Sequence, residues 1–391
     1  MAKISRKLRM GMVGGGPGAF IGDVHRRAAC LDGDVELVAG AFSSNATKSR
    51  RKGRELGLSR ARSYRSYTEM VEHEASLPKD ERIDFVSIVT PNHIHFPAAR
   101  AFLEAGFHVI CDKPMTLDVR EARQLKKIVA QSRRVFAVTD NYTGYPMVKL
   151  ARDFVREGSL GRLRKIVVRY PQGWLSTRIE IAGHKQAAWR TDPKRSGAAG
   201  CMGDIGTHAA NLAEYITGLK IVELSADLTT FVAGRPLDDD GNVLLRFQRG
   251  VRGLLYASQI SVGEENGLAI SIYGEEKGVE WHQEDPNILQ VKSQDGPLEV
   301  WTRGNPFVAD RSAAAARATR LPAGHPEAFH ESFANVYRNA ADTIRARNAR
   351  SRPEPLALDF PSVDDGLRGM IFIQTVIRSS RSSRKWLKVP K

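Results

Sequence analysis

The sequence predicts an α/β chain in two parts: a doubly wound parallel sheet over residues 1–145, then an α+β domain with a mostly antiparallel sheet over residues 146–391. Three observations carry this. Apolar strand-length runs alternate with amphipathic helical runs as far as Val138. The first run enters a glycine-rich turn that opens a helix. After about residue 145 the rhythm changes to strand-length runs separated by glycine or acidic turns.

With 391 residues the chain can bury two cores, and 42% hydrophobic with 26% charged residues is ordinary for a soluble globular enzyme. The net charge of +15 raises the question of nucleic acid. However, Lys and Arg are scattered over predicted helix faces at 48–54, 120–134, 338–350 and 378–385, with acidic residues between most of them. No finger, basic zipper or aromatic-studded RNA motif accompanies them, so a solvated surface and no nucleic-acid partner are expected. Cys30, Cys111 and Cys201 lie far apart without metal-ligand spacing, which fits no metal and a reducing cytoplasm. Met1 to Met10 is basic with no apolar run behind it, so no secretory leader is read. No window reaches the ~18 apolar residues of a membrane helix.

Leu8–Val13 is the first strand candidate and runs into Gly14-Gly15-Gly16-Pro17-Gly18-Ala19-Phe20-Ile21-Gly22. Glycines permit a tight turn, and the N-terminus of the following helix favours a pyrophosphate. Two alignments fit: Gly14-x-Gly16-x-x-Ala19, or Gly14-x-Gly16 with three extra residues before Phe20-Ile21-Gly22. Val35–Phe42 is the second strand, followed by Ser43-Ser44-Asn45 where an acid for the adenosine ribose is usual. Hydroxyls at Ser43 and Ser44 suit a ribose diol or a 2′-phosphate, so NAD is expected and NADP stays open. Ser66–Glu69 is a capping box. Ile83–Val89 is the third strand, ending in Thr90-Pro91-Asn92-His93-Ile94-His95, with a helix to Ala105. Phe107–Cys111 is the fourth, ending in Asp112-Lys113-Pro114; Asp118 caps the helix 119–131, and Val135–Val138 is the fifth. Ligands of such sheets sit at the carboxyl ends of the strands, where both loops lie.

In the second half, strand-like runs fall at 165–170, 221–232, 242–248, 253–261, 268–273, 279–282, 288–291 and 298–302, several alternating apolar with polar. Amphipathic helices follow at 326–348 and 362–379, and Ala313–Arg320 reads as a low-complexity surface segment. Before them stands Gly200-Cys201-Met202-Gly203-Asp204-Ile205-Gly206-Thr207-His208, with Asp204 and His208 at helical spacing. A carboxylate holding an imidazole is an acid–base device, although the same pair also reads as an Asp N-cap with a half-buried histidine. The glycines at 200, 203 and 206 are expected to let another molecule close to the backbone. Trp174, Lys185, Trp189 and Arg190 offer aromatic faces and donors suited to a sugar or cyclitol, and His325 is a further candidate contact.

The Gly14 turn, Thr90-Pro91-Asn92-x-x-His95, Asp112-Lys113-Pro114 and Gly203-Asp204-x-x-x-His208 together resemble the Gfo/Idh/MocA oxidoreductases, across most of the chain and in the same order. Asp112 stands where that family usually has Glu. The insertion in the glycine loop and Gly183–Arg190 look like the branch of scyllo-inositol and sugar dehydrogenases. The resemblance implies an N-terminal Rossmann domain and a second domain with a large open sheet, often used for oligomer contacts, hence a homodimer or homotetramer. It implies Lys113, Asp204 and His208 as the catalytic set, with Lys113, Asp204 and His208 also touching substrate. Cofactor contacts would come from Gly14, Gly16, Ala19, Phe20, Ile21, Ser43, Ser44, Thr90, Pro91, Asn92, His95, Lys113, Trp189 and Arg190. The expected activity is NAD(P)-dependent oxidation of a ring alcohol with His208 as acid/base. A glycoside-cleaving enzyme using transient oxidation and a cofactor-sensing regulator are the rival readings on the same scaffold.

Overall fold

The computed structural model describes residues 6–390, so the leader reading over Met1–Met10 lies partly outside the described residues. The chain packs as two compact units. One runs to Thr139 and includes Phe333–Leu367; the other holds Asp140–Ser332 and Arg368 onward. This differs from the single cut expected after residue 145. The reason lies in the packing: Tyr337 joins the buried His25 and Ser87 of the first unit through hydrogen bonds of 2.7 and 2.6 Å.

The first unit is built on β1 (Leu8–Gly14), β2 (Val35–Ala41), β3 (Phe85–Val89), β4 (His108–Cys111) and β5 (Phe136–Val138), in the order β2-β1-β3-β4-β5. All pairings are parallel. Strands β3, β4 and β5 are buried throughout, as sheets covered on both faces require. The helix caps follow the sequence: Glu69 N–H donates to Ser66 Oγ at 3.1 Å, and Glu121 N–H to Asp118 Oδ1 at 2.8 Å. Order reversal between β2-β1 and β3-β4-β5 puts the ligand crevice at the carboxyl ends of β1 and β3.

At the opposite end of β4, His108 is buried, accepting from Val135 N–H at 2.8 Å on Nδ1 and reaching Asn348 Oδ1 at 3.4 Å through Nε2. Burial pushes its pKa down to about 4 from an ordinary 6.5. Between those values the unfolded chain holds the extra proton, so stability falls as pH drops through that window. The loss is on the order of 3 kcal/mol. His108→Gln is expected to flatten this slope, read as the difference in urea midpoints between variant and parent at pH 7 and at pH 5. An unchanged slope would remove His108 as its source.

The second unit carries β6 (Lys165–Pro171), β7 (Ile221–Thr229), β8 (Asp240–Phe247), β9 (Arg252–Ser258), β10 (Ala269–Tyr273), β11 (Lys277–His282), β12 (Ile288–Ser293), β13 (Glu299–Thr302) and β14 (Leu387–Lys388). Their order is β13-β12-β11-β10-β6-β9-β8-β7-β14, antiparallel except for β6 beside β9. The register shows why the strands alternate. Leu224, Leu245, Gly253, Ile166, Ile272, Val279 and Val291 form one cross-strand row, all buried. The neighbouring row is Ser225, Leu244, Leu254, Val167, Ser271, Glu280, Gln290 and Val300, half-buried or exposed. The covered face receives the helices Pro146–Arg156 and Thr207–Thr217. Ala313–Arg320 is not the surface segment expected. It contains the helix Ala313–Ala318, capped by Ser312, whose Ala314, Ala315 and Ala318 are buried near the helix Pro146–Arg156. Alanine's small side chain allows that approach, which composition alone does not show. No helix among the described residues is long and apolar enough to cross a membrane, and none of their His, Cys, Asp and Glu groups could hold a metal.

Candidate active site

The glycine loop leaves β1 with Gly14 at φ +94°, where an added Cβ would lie 2.6 Å from the Val89 carbonyl oxygen. Ala19 N–H closes the turn on Gly16 O at 3.0 Å. The helix Phe20–Cys30 follows without a side-chain cap from Ala19, and Phe20 is exposed. A Cβ on Gly22 would fall 2.3 Å from Gly15 Cα. Gly22 therefore provides the close packing of loop on helix, which favours the alignment with the longer loop. An uncapped helix start behind a turn this tight suits a pyrophosphate.

Ser43 and Ser44 lie just past β2, where Ser43 Oγ accepts from Asn45 N–H at 3.2 Å and Asn45 Oδ1 caps the helix Ala46–Glu55 through Lys48 N–H at 3.0 Å. Thr90 and Pro91 are half-buried at the end of β3, and Asn92 is buried. His95, expected beside the cofactor, is instead fully buried. Its Nδ1 lies 2.8 Å from Pro114 O and its Nε2 2.8 Å from Thr90 O. Burial holds its pKa below the ordinary value, against Asp112 and those two carbonyls. His95 thus lies between the loops after β3 and β4, each ring nitrogen against a carbonyl oxygen and its one N–H, in the neutral ring, donating to one of them.

Asp112 accepts from Lys113 N–H at 2.9 Å and from the Thr139 hydroxyl at 2.8 Å, with His25 Nε2 at 3.8 Å. Burial alone would raise its pKa, but the His25 imidazole and the Lys113 ammonium outweigh it and hold the carboxyl below the usual range. Lys113 is half-buried, and its bond to Pro114 is cis.

In the second unit a π-helical turn, Met202–Gly206, leads into the α-helix Thr207–Thr217, so Asp204 and His208 are not joined by plain α-helical spacing. Asp204 Oδ2 accepts from Arg190 Nε at 3.1 Å and Gln259 Nε2 at 2.8 Å. His208 Nδ1 lies 3.5 Å from Asp140 Oδ1, both residues being 6% exposed. The Tyr142 ring meets the His208 ring edge-on at 4.8 Å, and Tyr170 stands at 6.4 Å. The two tyrosine hydroxyls pair, and Tyr170 donates to Asn266 Oδ1 at 2.7 Å. Burial raises the pKa of both phenols, so they stay protonated.

Gly200 and Gly206 serve internal packing rather than the approach of another molecule. A Cβ on Gly200 would lie 2.2 Å from Asp238 O, and one on Gly206 2.1 Å from Met202 Sδ. Arg190, expected against the cofactor, is here the partner of Asp204 and stacks over Trp189 at 4.2 Å and Trp174 at 5.9 Å. Trp189 Nε1 donates to Gln186 Oε1 at 3.2 Å. Lys185 is exposed beside His184, which caps the helix Lys185–Arg190. The helix expected from residue 326 begins at Phe329, and His325 is exposed in the loop before it, with Nδ1 3.4 Å from Ala323 O. It is not part of the His208 cluster.

Asp140, Tyr142, Tyr170 and Gln259 were not singled out by sequence. Asp140 had a signal, since it follows β5 and the carboxyl-end rule applies to it as to Lys113. Tyr170 reads as a core aromatic on its strand, and Gln259 carries no local mark.

A glycine turn on a parallel doubly wound sheet, with an acid–base cluster on an antiparallel one, defines a dinucleotide-dependent enzyme. Residues 8–140 match the oxidoreductase family described as having an NAD-binding Rossmann fold, and residues 148–280 match the GFO/IDH/MocA C-terminal domain. The chain belongs to the Gfo/Idh/MocA family and is an oxidoreductase with an NAD-binding domain. An uncharacterized oxidoreductase YfiI of Bacillus subtilis is 33% identical over 391 residues, covering 98% of each chain. The levoglucosan dehydrogenase of Pseudarthrobacter phenanthrenivorans is 28% identical over 309 residues, covering 73% of this chain and 76% of its own. The inositol dehydrogenase homologue of Azotobacter vinelandii, solved with NADH and myo-inositol, superposes with TM-score 0.89 at 32% identity, covering 98% of each chain.

Proposed function

We propose that this enzyme oxidises a secondary alcohol of a cyclitol or sugar ring, with His208 as the acid/base and Lys113 and Asp204 completing the catalytic set. The carrying observation is the buried His208 imidazole, turned through Nδ1 toward a carboxylate and flanked by tyrosines. The two relatives named for inositol and levoglucosan supply the substrate class.

The residues present fit a dinucleotide. Gly14 and Gly16 make the turn, Ala19, Phe20 and Ile21 stand at the start of the helix, Ser43 and Ser44 follow β2 with hydroxyls suited to a ribose, and Thr90, Pro91 and Asn92 lie at the end of β3. These residues would hold a nicotinamide dinucleotide, which would supply the hydride acceptor or donor. His208 takes the hydroxyl proton, and the acids near it stabilise the resulting imidazolium. The Lys113 ammonium hydrogen-bonds the alcohol oxygen as negative charge develops. Trp174 offers an aromatic face beside Arg190, and Lys185 a further donor, to a polyhydroxy ring. A reducing cytoplasm suits the three unpaired cysteines. A homodimer or homotetramer suits the open row bearing Leu244 and Val300, 46% and 50% exposed.

The test follows absorbance of reduced cofactor with NAD or NADP against inositols, aldoses and levoglucosan. Turnover of one of them supports the reading. Release of an aglycone from a glycoside without net cofactor reduction would replace it with the glycoside-cleaving one. Gly22→Leu drives a side chain into Gly15 and is expected to weaken NAD binding about tenfold or more by titration calorimetry. Unchanged affinity would dissociate this loop from the cofactor.

A further inference from the structure

We infer that Arg235 is a positioning residue for substrate recognition: its guanidinium holds the irregular segment 172–184 and so the place of the Trp174 ring. This rests on the proposed role of Trp174 as a face for the polyhydroxy ring. The segment has no helix or strand between β6 and the helix Lys185–Arg190. Its shape therefore depends on what its own polar groups meet. Two of its carbonyls and one of its carboxylates meet Arg235. Nη1 donates to Leu175 O at 2.6 Å and Nη2 to Thr177 O at 2.7 Å. Nε and Nη2 donate to the two Glu180 oxygens at 2.9 and 3.1 Å.

The Arg235 side chain is 3% exposed, which is unusual for an arginine and costly unless its donors are met. Glu180 and Asp239 balance its charge, Asp239 Oδ2 standing 3.6 Å from Nη1. A buried ion pair adds little net stability over an apolar replacement, so what this planar fork supplies is geometry. The arginine is itself held from behind. Asp239 accepts from the Phe231 and Val232 N–H groups at 2.8 and 2.9 Å, which folds the connection between β7 and β8 back on itself. In the same connection Asp238 accepts from Gly200 N–H and Met202 N–H, both at 2.7 Å, at the entry to the turn bearing Asp204. One connection thus fastens two stretches of chain.

Those two stretches meet at Trp174. Its ring lies 5.9 Å from the Arg190 guanidinium, whose Nε donates to Asp204 Oδ2 at 3.1 Å. Gln259 links the same groups: its side-chain amide donates to Asp204 Oδ2 at 2.8 Å, its carbonyl accepts from Leu175 N–H at 3.0 Å, and its N–H donates to Asp239 O at 2.9 Å. Trp174 Nε1 donates to Gln172 Oε1 at 3.0 Å, and the residue is half-buried. Without the fork, the backbone directly after Trp174 loses two of its carbonyl partners. If the binding arrangement then falls to about a tenth of the molecules, apparent affinity drops about tenfold with the chemistry untouched.

The test uses the full-length protein. Arg235→Lys keeps the charge and loses the fork. Its KM for the polyol that the parent oxidises is expected to rise about tenfold or more, with kcat within about threefold of the parent. Without substrate, tryptic cleavage after the exposed Arg178 is expected to quicken about tenfold or more at a near-parental urea midpoint. Trp174→Ala is expected to raise KM to a similar extent, and Arg235→Lys to add little on that background, since both act through one ring. A parental KM in Arg235→Lys, a loss falling on kcat instead, or a full further rise of KM in the double variant overturns the inference. Should Arg235→Lys not fold, Glu180→Gln replaces it, and an unmoved KM and cleavage rate there overturn the inference equally. Failure of the underlying reading looks different: Trp174→Ala alone would then leave KM parental, and the inference would fall with it.

Discussion

In the His208→Gln variant, kcat is expected to fall by about 10²–10⁴ on the polyol that the parent oxidises. The hydroxyl proton must leave as the carbon gives up its hydride, and without the imidazole no group of the right basicity receives it. Glutamine keeps the volume and polarity of the site beside Tyr142, so circular dichroism should remain parental. Titration calorimetry with NAD checks that cofactor binding is kept. Steady-state rates at saturating NAD measure the effect. A kcat within about twofold of the parent would remove His208 from the chemistry.

Lys113→Met is the second large effect. Methionine retains much of the aliphatic stem of the lysine but no donor and no charge. If the ammonium stabilises the alcohol oxygen as charge builds, kcat falls by about 10²–10³. An interaction made chiefly in the transition state lowers kcat and kcat/KM together, whereas a loss confined to KM would mean that Lys113 only binds substrate. The loop itself should survive. Asp112 keeps its bonds from the Lys113 N–H and the Thr139 hydroxyl, and His95 still packs between the Pro114 and Thr90 carbonyls. Parental kcat and KM in this variant would contradict the assignment.

The parallel sheet was legible because its strands are buried on both faces and read as near-continuous apolar runs, Phe85–Val89 broken only by Ser87 and His108–Cys111 apolar after His108. The antiparallel sheet was legible through alternation, as in Val243, Leu245 and Phe247 inward with Asn242 and Leu244 outward. What the sequence concealed arises from contacts between distant residues. His95 lies in a motif that suggests a ligand, yet its two nitrogens meet carbonyls of two separate loops. Arg190 and Gln259 converge on Asp204 from 14 and 55 positions away, which no spacing rule anticipates. Gly200 and Gly206 looked like points of ligand approach because a missing side chain says only that something comes near, not what. Asp140 is the instructive case. Its place after the fifth strand was visible, but its meaning depends on His208, 68 positions further along.

We propose that Lys113 and His208 act on one alcohol oxygen of the substrate. The direct measurement is a crystal structure with NADH and the polyol selected by the absorbance assay. The expected result puts Lys113 Nζ and His208 Nε2 both within about 3 Å of the same hydroxyl oxygen. A polyol whose contacts with these two side chains fall on different hydroxyls, or that meets only one of them, would contradict the account.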